Sequence, residues 1–333
     1  MEESLRQLDS VVLNFNARSV DIMNIALALI MFGVALGIKF KDFKELFYTP
    51  KQVITGIISQ FIALPAFTFL LVILLKPSPT VALGMILVAA CPGGNISNFI
   101  SAMAKGNTAL SVTLTAIATL AAIFMTPLNF SFWGSMYIDY YSKVAAEGIL
   151  RPIEIDIFQV FKTVFILLGI PLILGLLFAH YLPKITKKIK SPLRIISIII
   201  FLGFVAGALI ANFKHFQNYI HLIFLIVLLH NGLALLTGFS ISTIAKINRP
   251  GRRSITIETG IQNSGLALAL IFNPKIFPPE LQLGGMAMIA AWWGIWHIIS
   301  GLTVAFFLSR KDVANEPSKW TLSSLYVFKP KGK

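Results

Sequence analysis

The sequence of 333 residues contains a single cysteine, Cys91, and charged side chains make up only 13% of it. One cysteine excludes an intrachain disulfide and any multi-cysteine metal centre. Scarce charge, with 56% hydrophobic residues and a mean hydropathy of +0.80, excludes an ordinary soluble domain, which must be coated by polar groups. The chain has no GxxxxGK[ST], no HExxH and no GxSxG, so a nucleotide-driven pump or a membrane hydrolase would lack its parts. Its first nineteen residues hold no basic stretch followed by an apolar core, and no cleavable signal peptide is expected.

What the chain has in excess is long apolar runs of about 20 residues, the helix length that crosses a bilayer. A β-barrel would show short alternating segments instead. The expected fold class is therefore an all-α polytopic membrane protein. Nine spans are expected, near 20–38, 53–75, 80–104, 108–132, 158–182, 193–212, 219–245, 254–273 and 283–309. The connections are expected to be short except for 133–157, which is polar and aromatic. Residues 1–19 and 310–333 flank this region on opposite sides of the membrane.

The net charge of +14 is a topology signal rather than a nucleic-acid footprint. Of 28 basic residues, twenty fall on one side, in clusters such as Lys39–Lys51, Lys184–Arg194, Lys246–Arg253 and the tail. That side is expected to be cytoplasmic, in contact with anionic lipid heads, with the N-terminus outside. Of fourteen acidic residues, thirteen lie in loops or at the rims, and Glu258 alone falls at membrane depth.

Two spans are interrupted. CPGGNISN (91–98) should unwind, because Pro92 lacks a donor and Gly93 and Gly94 loosen the helix. The half-helix starting near Asn95 would present free N–H groups and a positive dipole end, suited to a carboxylate. A plain proline-glycine kink, with Ser97 and Asn98 as packing residues, explains this segment equally well. ETGIQNSG (258–265) is more telling. An ionised carboxylate in hydrocarbon costs at least about 2.5–3.5 kcal/mol and persists only with a partner. Arg252 and Arg253 are expected to snorkel to the boundary, leaving a bound cation or a proton. Gln262, Asn263 and Ser264 crowd further oxygens there, and Gly260 is read as permitting the unwinding. Oxygen ligands without cysteine or clustered histidine suit a hard cation such as Na⁺. The breaks fall at matching places in two halves that enter the membrane from opposite sides, the pattern of an inverted-repeat transporter. Gln60, Ser111 and Thr115 are further polar residues in spans, more often packing residues than ligands when taken alone. His230–Asn231 and His297 could line a cavity, although a lone membrane histidine is more often a satisfied structural residue.

PGGN-x-SN in one break and E-x-G-x-QNSG in the other together resemble the bile acid:sodium symporter family. The stretches CPGGNISNFISAMAKGNTALSVTLTAIATL and RRSITIETGIQNSGLALAL carry the likeness, and hydropathy agrees over residues 20–309. The resemblance implies two broken helices crossing at the centre of a core (about 53–132 and 219–309), beside a panel (about 20–38 and 158–212). It implies two coupling Na⁺ ions. One would be held by Ser97, Asn98, Ser111, Thr115 and Glu258. The other would be held by Gln60, Glu258, Gln262 and the carbonyls of Thr259 and Ile261. Substrate would sit near Asn95, Asn263 and His297. Nine spans match the family's animal pattern rather than the ten of its bacterial members, whereas the spelling ETGIQNSG is closer to the bacterial form. The expected function is sodium-coupled symport of an organic anion, bile-acid-like or a small carboxylate, across the cell membrane by alternating access. No enzyme activity, organic cofactor, nucleic acid or obligate protein partner is expected. A proton-coupled or arsenite-type carrier on the same fold, or a ligand-binding channel or sensor, are the rival expectations.

Overall fold

The computed structural model of the chain describes residues 17–38, 47–144, 156–211, 213–273, 276–277 and 283–310. Most of the N-terminal stretch 1–19 and all of the tail after Arg310 lie outside the described residues. Every regular element described is a helix: α1 (Ala17–Ala35), α2 (Pro50–Leu75), α3 (Pro79–Ala90), α4 (Ile96–Met103), α5 (Thr108–Val144), α6 (Ile157–Tyr181), α7 (Pro183–Ala211), α8 (Phe213–Ile244), α9 (Arg249–Gly260), α10 (Ser264–Ile271) and α11 (Gly284–Arg310). Five of them, α2, α5, α6, α8 and α11, are each long and apolar enough to cross a bilayer. The chain is a multi-pass membrane protein.

Local chemistry sets the helix starts. Proline opens α2, α3 and α7, where its missing N–H costs nothing. Side-chain caps open others: Asp156 accepts from the amides of Phe158 and Gln159, and Asn248 accepts from Gly251. Two expected loops are helical instead. The segment after Pro183, with Lys184, Lys187, Lys188 and Lys190, is the start of α7, because lysine and isoleucine both tolerate a helix, and the helix continues through Pro192. Much of 133–157 prolongs α5 to Val144, with Tyr137 buried in the core and its ring tilted against that of Tyr141. Residues 145–155 of that loop lie outside the described residues.

Helix α1 packs on α6 and α7, while α8 packs on α9 and α11, and α3 on α5 and α11. All twelve residues of α3 and all eight of α10 are buried, so both are sheathed by protein rather than lipid. Apolar side chains such as Leu70, Leu74, Ile199 and Phe307 are exposed on the outside, as a lipid-facing surface requires. The informative exception is α9, buried from Arg253 to Gly260 although Arg253, Ser254, Thr256, Glu258 and Thr259 are polar. Hydrocarbon does not account for a polar helix at the centre of a bundle. Chemistry does.

Candidate functional site

The two interruptions meet. Helix α3 stops at Ala90, Cys91 is extended, and α4 begins at Ile96 with Asn95 as its cap. Helix α9 stops at Gly260, Ile261 is extended, and α10 begins at Ser264. Between them Gly93 and Gln262 form an antiparallel bridge. The Gly94 amide donates to the Ile261 carbonyl at 2.7 Å, and the Asn263 amide to the Pro92 carbonyl at 2.8 Å. Each break thus satisfies backbone groups that the other leaves open, which a dry interior demands. Side chains close the remaining carbonyls: Asn231 Nδ2 donates to Gly260 (2.8 Å), Gln60 Nε2 to Cys91 (3.1 Å) and Gln262 Nε2 to Thr259 (2.7 Å).

Glu258 lies one half-turn before the second break, buried. Ser97 Oγ and Ser111 Oγ donate to its Oε2 at 2.5 and 3.2 Å, and Thr115 Oγ1 donates to its Oε1 at 2.7 Å. Asn98 joins through its Oδ1, 3.2 Å from Thr115 Oγ1. The five residues expected at the first ion site therefore converge from α4, α5 and α9. Thr115 Oγ1 also lies 3.0 Å from the Ser111 carbonyl and 3.4 Å from Ser97 Oγ. One hydroxyl proton cannot serve three acceptors at once. Hydroxyl, amide and carboxylate oxygens thus gather around one buried anion, whose charge a small hard cation or a proton would neutralise. The atoms that converge on Glu258 are hydroxyl and amide oxygens, a hard donor set.

Gln60 reaches the crossover from a π-turn, Ser59–Ala63, inside α2. Pro65, just beyond, removes the amide that would bond to Phe61, and the wider turn absorbs that loss. Gln60 Nε2 also donates to Gln262 Oε1 at 2.7 Å, whereas Gln60 Oε1 is buried with no hydrogen-bond partner among the described residues. That orphan acceptor, on a side chain bonded to Cys91 and Gln262 at the crossover, fits a cation ligand. The carboxylate of Glu258 is not joined to Gln60: its hydrogen bonds go to Ser97, Ser111 and Thr115.

Of the three residues expected near substrate, two occupy the cap positions of the half-helices that leave the bridge. Asn95 precedes α4 with no side-chain capping bond. Asn263 accepts from the Leu266 amide at 3.1 Å. His297 is buried on α11 with Nδ1 unpartnered. It shares a face with Gly294 and Gly301, where an added Cβ would lie 2.7 Å from Ser264 Oγ and 2.8 Å from Ile261 Cδ1. That face runs along the crossover, but no hydrogen bond joins His297 to either asparagine.

Some local readings need correction. Gly260 remains helical and has no positive φ, so it does not unwind α9. Its missing side chain lets α8 approach, since a Cβ there would lie 2.3 Å from Leu235 Cδ2. Arg253 does not snorkel: it is buried, and Nη2 donates to the Leu308 carbonyl at 2.9 Å. His230 ties α8 to α2 through Thr68 Oγ1 at 2.9 Å, and Cys91 matters through its carbonyl. Asn231, held by Ser300 Oγ at 2.5 Å while it caps Gly260, is a positioning residue whose only sequence signal was a polar pair in mid-helix.

The sodium bile acid symporter family model matches residues 24–218. The chain is 34% identical over 292 residues to the "uncharacterized sodium-dependent transporter YocS" of Bacillus subtilis, covering 87% of this chain and 83% of that protein. It is 31% identical to the "probable sodium/metabolite cotransporter BASS2, chloroplastic" of Oryza sativa subsp. japonica, covering 82% of this chain and 64% of that one. It is 28% identical to the hepatic sodium/bile acid cotransporter of Rattus norvegicus, covering 90% and 80%. These relatives are transporters, not enzymes, and sodium is common to their descriptions. By the family match and by these relatives, the chain belongs to the sodium bile acid symporter family, a family of sodium-dependent membrane transporters.

Proposed function

We propose that the protein couples two Na⁺ ions to the uptake of one organic anion by alternating access. The observation that carries this reading is the gathering of hydroxyl and amide oxygens from two other helices around the buried Glu258 carboxylate. Na⁺ is cargo here. One ion would take the oxygens of Ser97, Asn98, Ser111, Thr115 and Glu258. The other would take Gln60 Oε1, Gln262, the carbonyls of Thr259 and Ile261 and a share of the Glu258 carboxylate. Both ions lie against the bridged breaks, so filling them would order the starts of α4 and α10. The dipole ends of those half-helices, with Asn95, Asn263 and His297 alongside, would then receive a carboxylate.

The moving parts in this reading are α1, α6 and α7 as one panel and the remaining helices as a core built as an inverted repeat. The packing of α1 on α6 and α7 supports that division. The side richer in Lys and Arg is cytoplasmic, which puts the C-terminus inside and the N-terminus outside. The rat relative's name supports an organic anion as cargo, and small carboxylates fit the site's chemistry as well as bile acids do.

Reconstitution into proteoliposomes tests the proposal. An inward sodium gradient should drive concentrative uptake of the anion that stabilises the protein cooperatively with Na⁺ in a thermal-shift screen of organic acids. With two Na⁺ per monoanion, net positive charge enters, so an inside-negative potential should accelerate uptake. Uptake driven by a pH gradient and indifferent to sodium would overturn the proposal in favour of a proton-coupled carrier. Gln60→Ala should steepen the sodium requirement of the second site about tenfold, through loss of a buried ligand. The first site should be left near its original affinity, and the sodium dependence of uptake should become visibly biphasic.

A further inference from the structure

One turn away from Glu258, two similar turns dock on each other. SAMAKGN (101–107) and STIAKIN (242–248) each end a helix with a lysine in the left-handed region, Lys105 (φ 54) and Lys246 (φ 53). Each closes with a long backbone bond, Gly106 N to Ser101 O (2.8 Å) and Ile247 N to Ser242 O (2.9 Å). Each then supplies an asparagine that caps the next helix: Asn107 accepts from Leu110 N at 3.1 Å, and Asn248 from Gly251 N at 3.0 Å. Left-handed lysine is held only where surrounding bonds fix the backbone.

The bonds between the two turns are specific. Asn107 N donates to the Pro250 carbonyl at 3.0 Å, and Ser254 Oγ donates to the Asn107 carbonyl at 2.8 Å. Arg253, buried, reaches the carbonyls of Lys105 (3.4 Å) and Leu308 (2.9 Å), at the C-terminal ends of α4 and α11, where a cation is favoured. Gly106 has no side chain because a Cβ there would lie 2.6 Å from Ser254 Oγ. The register then follows by counting. Ser254 meets Asn107, and four residues on in both helices Glu258 meets Ser111. Helix α4 runs back from the same junction to bring Ser97 to the carboxylate.

We propose that Arg253 and Ser254 are positioning residues for sodium: the docked turns fix the axial register of α9 against α4 and α5, and so place the Glu258 carboxylate among its hydroxyls. This rests on reading Glu258 as the ion's carboxylate, although neither Arg253 nor Ser254 touches that site. Loosening the junction lets α9 slide or tilt, and the oxygens separate before the fold is lost.

The test is a sodium titration of the purified full chain by thermal shift, with NaCl replacing choline chloride at constant ionic strength. Ser254→Ala, which removes one oxygen, should raise the sodium concentration giving half the shift about three- to tenfold. Arg253→Gln should raise it tenfold or more, and Arg253→Lys, which keeps a cation near the two carbonyls, should recover most of that loss. A merely structural role would lower the sodium-free melting temperature and leave the midpoint alone. Midpoints within twofold of the parent in Ser254→Ala and Arg253→Gln overturn the inference, and Ser254→Ala decides it if Arg253→Gln does not fold. Glu258→Gln is measured alongside. If it keeps the parent's sodium shift, the sodium reading of the site fails. If it loses the shift while the junction variants keep theirs, only the junction inference fails.

Discussion

Glu258→Gln should abolish sodium-dependent uptake, with sodium affinity falling by about two to three orders of magnitude. Removing one member of a buried charged pair costs about 3–5 kcal/mol, and each 1.4 kcal/mol is tenfold in affinity. The amide also replaces one carboxylate oxygen by an NH2 group, a donor that cannot ligate a cation. The second half of the expectation separates function from folding. Glutamine fills the same volume, still accepts from Ser97 or Thr115, and carries no charge to bury. In sodium-free buffer the variant should therefore melt at the parent temperature or above it, and adding NaCl should no longer raise it. A variant that melts lower and still responds to sodium would show Glu258 to be a structural acid.

Gly93→Ala should nearly match that loss by another route. An added Cβ at residue 93 would lie 2.5 Å from Glu258 Oε1 and 3.1 Å from its carboxyl carbon, inside contact distance. The carboxylate cannot swing clear without leaving Ser97, Ser111 and Thr115, and overpacking of this kind costs about 1–3 kcal/mol. Sodium affinity should drop by about tenfold to a hundredfold. The neighbouring glycine supplies the control. At Gly94 the nearest atoms to an added Cβ are 3.4 Å away, on Gln262 and Ile261, so Gly94→Ala should bind sodium within about threefold of the parent. Equal losses in the two variants would mean that backbone flexibility at the break, rather than room for the carboxylate, is what glycine provides. Sodium titration of both proteins, with uptake measured at saturating sodium, distinguishes these outcomes.

The features most legible in the sequence were those that local chemistry decides. Pro92 and the paired glycines announce a break, and α4 starts one residue after the Asn95 expected to begin it. A lone acid among apolar residues announces a site, whatever fold surrounds it. What stayed hidden depends on residues far apart in the chain. Gln60 and Gln262 are 202 positions apart, and only the folded backbone shows that one amide donates to the other. The π-turn under Gln60 follows from Pro65, but its consequence for the side chain's aim cannot be counted off an ideal helix. Arg253 misled for the same reason. Snorkelling is the cheaper course for an arginine facing lipid, and its place against two helix ends is set by α4 and α11. Gly260 was credited with flexibility because glycine beside a break invites that reading, whereas the side of α8 opposite it explains the residue through shape alone. The basic start of α7 lies outside the apolar run that marks the span, so hydropathy alone does not show that the helix begins at Pro183.

The bridge between Gly93 and Gln262 has a consequence for how such a protein can vary. Its hydrogen bonds run from main chain to main chain, so no particular side chain is needed to hold the two crossing segments together. The joint is a hinge pin cast in backbone. The side chains of Asn95 and Asn263 are thereby released from holding the crossing, whereas Gly93 stays fixed by the room that Glu258 needs and Gln262 by its bonds to Gln60 and Thr259. Descendants of such a chain could exchange one anion for another at this spot while the joint itself stayed whole.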